Sequence, residues 1–313
     1  MNADGFENLK YKDWEIGFVI LTKLLGMIIP NSIYSYIYYI GFFSVVTIVP
    51  AAIFIYKNSE MPWVSTVLYV NTFLFFMSMN FIRQAVALSI IMLAWHFMKK
   101  NKFIPFAVFV IIASLFHQTA LLMLPVYLLV KMKITLKELI VYLYILLFFY
   151  ISSTGFIRII TSFFHEEYVG SAFLNEGLSF VYAILPVIIV IIAFFLAKIR
   201  TINVTTETKY IINMTLICAL LSITMSKHSI IERLTYYFTV FLILLVPIIY
   251  RSLRQNGIRF ALSKSTSIEL CSEKQKKIIS FCVLIVILAF SYFNFYYGLS
   301  ENAHGVLPYN TWI

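Results

Sequence analysis

Charge is scarce in this sequence. Of its 313 residues 12% are charged and 61% hydrophobic, whereas soluble domains carry about 25% charged and about 45–50% apolar residues. That balance excludes a soluble globular domain. Cysteine is scarce as well. Cys218 and Cys282 lie in apolar runs and Cys271 in a basic loop; they show neither metal-ligand spacing nor the pattern of a disulfide framework and read as packing residues. A Gly-rich phosphate loop, a zinc motif, a nucleophile elbow and an Asp-x-Asp pair are all missing. Asp4, Glu7, Asp13 and Glu15 have no ligand spacing, so an enzyme built on this chain is expected to work without a bound metal or other cofactor. The polar N-terminus, 1–13, lacks the basic start and immediate apolar stretch of a signal peptide. No internal repeat recurs at a fixed spacing, which counts against the repeat architecture common in transporters.

What the chain does have is apolar runs of membrane length. A bilayer core about 30 Å thick needs about 20 apolar residues per helix. Candidate spans are 33–56, 63–79, 81–98, 139–152, 180–197, 210–225, 234–250 and 278–297, with 14–29 as a shorter interfacial or re-entrant helix. Runs such as 181–197 and 278–290 are apolar on all faces, unlike the alternating strands of a membrane barrel. The expected fold class is therefore all-α: a polytopic transmembrane helical bundle of about eight to ten membrane segments, in a single integral membrane domain, 1–313.

The net charge of +10 is better explained by the positive-inside rule than by a nucleic-acid partner, because the basic residues sit in loops. They cluster at Lys99–Lys102, Lys131–Lys137, Lys198–Lys209 and across 251–277, which places all four regions in the cytoplasm. The acidic loop 154–179 and the tail 298–313, which lacks Lys and Arg, are expected outside. Both flanks of 103–130 are basic, so a single crossing there would invert every later loop. A helix of that length would also be about 42 Å long, and two full spans would need about 40 residues. The pattern predicts a helical hairpin with its break at His117–Gln118 that enters and leaves on the same side; the competing reading is a single tilted, kinked span with 139–152 not crossing.

Ionisable groups at lipid depth are expensive and mark functional sites. Arg83, beside Gln84, falls about one turn inside the external surface; it reads either as an anion clamp with a bidentate fork or as a side chain snorkelling to headgroups. The segment Lys227, His228, Glu232 and Arg233 is a basic external loop that departs from the positive-inside rule. It suits a phosphate-bearing ligand, or else holds a charge pair at the interface. His117, in apolar surroundings, is a candidate general base or a satisfied core residue. His96 reads as interfacial, and His165 carries no reading of its own.

These residues carry a resemblance. Asn80-Phe81-Ile82-Arg83-Gln84-Ala85, the basic loop 99–102, Ala113-Ser114-Leu115-Phe116-His117-Gln118-Thr119-Ala120-Leu121 and Leu124-Pro125-Val126-Tyr127 resemble the EpsG family of bacterial polysaccharide polymerases, related to Wzy. Thr119 stands where the family has Ser. Trp14-Glu15-Ile16-Gly17-Phe18, Glu232-Arg233-Leu234-Thr235-Tyr236-Tyr237 and Val306-Leu307-Pro308-Tyr309 extend the likeness along the chain. The family has a membrane helix and a Gly-x-Asp-x-x-x-Tyr element ahead of Glu-x-Gly-Phe, so the resemblance implies an N-terminus truncated or begun too late.

The resemblance implies a multi-pass protein of the bacterial inner membrane. Its expected reaction joins undecaprenyl-diphosphate-linked oligosaccharide repeat units at the external leaflet, for capsule, exopolysaccharide or O-antigen. Its partners would be that lipid-linked substrate, the bilayer, and a chain-length regulator and flippase of the same pathway. In this reading His117 is the catalytic base with Glu232 second. Arg83, Gln84, Arg233 and Lys227 hold the diphosphate, and Tyr236 and Tyr237 hold sugar rings, although Tyr at an interface also serves as a belt residue. The alternatives are a flippase or transporter of lipid-linked oligosaccharide, and a membrane acyltransferase that modifies surface glycans. The acyltransferase would pair its His with a carboxylate, and His117 has no acidic neighbour in sequence.

Overall fold

Long apolar stretches in lipid must satisfy their backbone internally, which selects helices. The computed structural model describes residues 15–133, 177–261 and 267–302, with scattered positions from 135 to 155. Its helices are α1 (Ile16–Ile28), α2 (Ser35–Asn58), α3 (Pro62–Asn71), α4 (Leu74–Asn80), α5 (Ile82–Met98), α6 (Phe103–Ser114), α7 (Met123–Leu129), α8 (Val181–Lys198), α9 (Thr206–Met225), α10 (Glu232–Asn256) and α11 (Glu273–Ser300). A small antiparallel hairpin, β1 (Arg259–Ala261) with β2 (Ser267–Glu269), pairs Phe260 with Ile268.

Among the described residues five helices are long and apolar enough to cross a membrane: α2, α8, α9, α10 with the 3-10 turn Ser229–Ile231 before it, and α11. The bent pair α3 and α4 makes a sixth if counted as one span, and four shorter apolar helices complete the set. This is a multi-pass membrane protein. Among the described residues, full-length spans are thus fewer than the apolar helices.

The expected span 63–79 is not continuous. It breaks at Thr72 and Phe73, where Phe73 takes a φ of 62° without a proline or glycine to announce it. Tertiary packing supplies the cause: the Phe73 ring lies 5.4 Å from that of Phe295 and against Gly298, where a Cβ would collide with it. The basic stretch 251–277 is also less of a loop than its charges suggest. Arg251 and Arg254 belong to α10, which ends at Gly257 with a φ of 59°. Lys274, Lys276 and Lys277 belong to α11, which starts at a capping box of Ser272 and Gln275. Of 139–152 several residues lie outside the described ones, and those described are helical. The N-terminus 1–13, most of the loop 154–179 and the tail from 303 lie outside them too.

The chain divides into two compact units, Met1–Lys57 with Phe75–Tyr127, and Asn58–Leu74 with Leu128–Ile313. In the first unit the expected hairpin is present. After α6 the backbone of His117 is extended, at φ −158° and ψ 114°, and a 3-10 turn, Gln118–Leu122, leads into α7. The chain returns far enough for the Tyr127 ring to lie 5.0 Å from Phe103 and 5.2 Å from Phe106; a continuous helix would separate 103 from 127 by about 36 Å. The ammonium groups of Lys57, Lys99, Lys100 and Lys102 all bear on His96, so this unit has one basic end, about 24 Å along α5 from Arg83.

The second unit centres on α10, buried over most of its length and packed by α9, α11, α3 and α8. One end is tied together by Thr201 Oγ1 donating to the Gly257 carbonyl at 2.7 Å, Asn256 Nδ2 donating to the Thr201 carbonyl at 2.8 Å, and the Arg251–Glu60 and Arg254–Glu273 ion pairs. That end carries the unit's Lys and Arg clusters. The opposite end gathers the starts of α8 and α10 and the close of α11, where the Tyr182 and Tyr297 rings stand 5.8 Å apart.

Candidate functional site

Each unit carries a group of polar side chains within its apolar packing. In the first unit the group forms around the hairpin break, and α1 delivers an acid to it. Gly17 explains how: its N–H donates to the Leu115 carbonyl at 2.8 Å, and a Cβ at that position would stand 2.7 Å from the same oxygen and 2.8 Å from the Leu115 Cβ. A side chain at 17 would push α1 off the hairpin. Phe18 then anchors the helix, stacking on Phe43 with ring centroids 5.3 Å apart, in a cluster with Val86 and Phe116. Glu15-Ile16-Gly17-Phe18 is one device: an acid, a close approach and an anchor.

Glu15 is shared by the two residues singled out from sequence. His117 Nδ1 lies 2.9 Å from Oε1, and Arg83 Nη1 donates to Oε2. The side chains are 7% (Glu15), 12% (His117) and 38% (Arg83) exposed. Burial works to raise the Glu15 carboxyl. The His117 hydrogen bond, a backbone hydrogen bond and the Arg83 charge outweigh it and hold the group at about 2, so Glu15 is a carboxylate. A carboxylate at Nδ1 selects the tautomer with its proton there and turns the lone pair to Nε2. That Nε2 is buried with no hydrogen-bond partner among the described residues. The arrangement suits removing a proton from a hydroxyl beside a guanidinium that can face an anion.

Sequence reasoning found Arg83 and His117 and missed Glu15. The apparent lack of an acidic partner for His117 is corrected here: the partner lies 102 positions away in the chain. The signal was present in the Glu-x-Gly-Phe element, but nothing local ties it to a histidine so far downstream. Gln84 is buried at 2% exposure.

The second unit encloses a partly open cavity of about 70 Å³, lined in part by Asn71, Tyr182, Ser222, Glu232, Tyr236 and Asn294. It forms where two helices lose their regularity. The break at Thr72 and Phe73 lines it, and so does Pro186 inside α8, which cannot donate to the Tyr182 carbonyl four residues back. Tyr236 donates its hydroxyl to Glu232 Oε1 at 2.7 Å. Glu232 is the sole charged side chain among the described lining residues.

The remaining expected site residues disperse. Tyr237 is 1% exposed and does not line the cavity. Arg233, half-buried in the first turn of α10, is also not among the lining residues. Lys227 donates to the Tyr150 carbonyl at 3.0 Å and lies 5.4 Å from that ring's centroid.

A protein-family model matches residues 3–311, nearly the whole chain, and its description is the EpsG family. No curated protein and no solved structure matches the chain.

Proposed function

The chain belongs to the EpsG family, which supports a role in polysaccharide polymerisation, and from that premise we propose that it joins lipid-diphosphate-linked oligosaccharide repeat units into a cell-surface polysaccharide. The observation that carries the reading is the Glu15–His117–Arg83 trio, whose buried His117 Nε2 has no hydrogen-bond partner among the described residues. Glu15 orients the imidazole. The Nε2 lone pair takes the proton of an acceptor sugar hydroxyl as that oxygen attacks the anomeric carbon of the growing chain. The bond from that carbon to the carrier diphosphate breaks, and the departing diphosphate has its charge met by Arg83. In the second unit Arg233 and Lys227 offer positive charge to the same class of ligand.

Location fits the substrate. In each unit the polar group lies at the end away from that unit's basic cluster. With basic ends in the cytoplasm, each unit's polar group lies toward the outer side of a bacterial cell membrane, where undecaprenyl-diphosphate-linked units are polymerised. A flippase of the same pathway would supply the substrate, and a chain-length regulator would act on the product.

Deletion of the gene in its host, with lipid-linked and surface glycans resolved by size, tests the reading. Loss of polymer with single repeat units accumulating on the carrier is the expected result; polymer of unchanged length and amount would overturn it. The Glu15–His117 pair also favours a second reading, acyl transfer to a surface glycan, because that chemistry uses the same base. Polymer of normal length that lacks acyl groups would select it.

A further inference from the structure

We propose that the cavity of the second unit is a binding subsite for one neutral sugar residue of the oligosaccharide, engaged through its hydroxyl groups and not through phosphate. The proposal deepens the polymerase reading and rests on it for the identity of the glycan.

Four observations converge. Asn294 is 6% exposed and lines the cavity. Its Nδ2 donates to the Phe290 carbonyl at 2.9 Å, which settles the amide's orientation, and its Oδ1 is buried with no partner among the described residues. A buried acceptor of this kind is costly unless something donates to it, so a ligand O–H supplies what the fold withholds. Next, the cavity's charge is wrong for a diphosphate: its lining carries one carboxylate, Glu232, and no cation among the described residues. A carboxylate repels phosphate but accepts from sugar hydroxyls, and Tyr236 already holds it in place at 2.7 Å.

Tyr182 and Phe73 add aromatic surface to the same walls, the kind of surface against which the C–H face of a pyranose packs. The last observation is the irregular backbone. The Phe73 break and Pro186 both interrupt helical hydrogen bonding beside the cavity, and backbone freed within an apolar bundle is tolerated where it lines a cavity. At about 70 Å³ and partly open, the space admits an edge of one ring while the rest of the chain stays outside.

The test uses the full chain purified in nanodiscs. Two probes are titrated: the lipid-free, phosphate-free oligosaccharide released by mild acid from the host's own lipid-linked pool, and inorganic pyrophosphate. Binding is read by saturation-transfer NMR and by ligand-induced change in melting temperature. Asn294→Leu is expected to weaken the oligosaccharide about tenfold or more, since one hydrogen bond to a buried acceptor is lost, and to leave pyrophosphate unchanged. Glu232→Gln, which keeps the shape of the wall and a partner for Tyr236, is expected to weaken the oligosaccharide as well and serves if Asn294→Leu fails to fold. Oligosaccharide binding that is absent from the wild type, or unaltered in the folded variants, overturns the subsite. Failure of the polymerase reading would show separately, as unchanged polymer in the deletion strain.

Discussion

The two units solve different problems with polar groups in apolar surroundings. In the first, three ionisable side chains drawn from positions 15, 83 and 117 meet at a broken hairpin, where Arg83 and His117 both bear on Glu15. In the second, a cavity is walled by amides, hydroxyls and phenols with a single carboxylate. The first arrangement suits chemistry in which a proton moves and negative charge develops on a leaving group. The second suits recognition of something neutral and hydroxyl-rich. On the proposed reading the contrast separates catalysis from recognition, and each half can be broken without the other.

The largest effect is expected from His117. Replacing it by Ala or Gln removes the base, and repeat-unit transfer by purified chain in vesicles should fall by about 10²–10⁴-fold. The amount of protein that assembles in the membrane should change little. Arg83→Ala should follow closely, with Arg83→Lys recovering part of the loss, because an ammonium keeps the charge without the fork that holds Glu15 and an anion together. Polymer length on a gel, with substrate saturating, reads that series. If lysine restored full activity, the bidentate role would be wrong.

Gly17→Ala is the finest probe of how the first unit is assembled. The added Cβ meets the Leu115 carbonyl and Cβ, so α1 must shift. A loss of about 1–3 kcal/mol in stability, typical of overpacking, should accompany a fall in transfer, and thermal melting together with the transfer assay would separate the two. The same change at Gly41, around which nothing lies within 4 Å, should be silent.

A smaller effect is expected from pH. The folded Glu15 carboxyl sits at about 2, below its ordinary 4.5. A lowered acid stabilises the fold above its unfolded value and loses that contribution as pH falls through the folded one. The difference in melting temperature between wild type and Glu15→Gln should therefore narrow between pH 4.5 and about 2, through uptake of one proton. A gap that widened on acidification would contradict the ionised Glu15.

Much of the first unit was legible in the sequence, and for a physical reason: a charge or an imidazole in a lipid-depth run stands out against its neighbours. Arg83 and His117 were found that way, and the hairpin followed from length and flanking charge. Glu15 was not, because it sits among other N-terminal acids and its meaning depends on a close approach permitted by a glycine. The second unit's cavity was harder. Asn71 and Asn294 are uncharged and blend into mixed aromatic helices. The break at Phe73 is imposed by Phe295 and Gly298 from the far end of the chain, not by any local breaker. Glu232 stands out in sequence as a second base, and its Oε1 accepts from the Tyr236 hydroxyl.

The central claim is that Glu15 acts through His117 on the acceptor hydroxyl. Its most direct test is the transfer rate of Glu15→Gln against wild type, in vesicles loaded with lipid-linked repeat units, across pH 5–9. The account predicts a fall of about tenfold or more in turnover, with KM little changed and the pH dependence of the rate displaced from that of the wild type. Turnover and pH profile equal to wild type would contradict it, and would leave the trio as a structural clasp for α1.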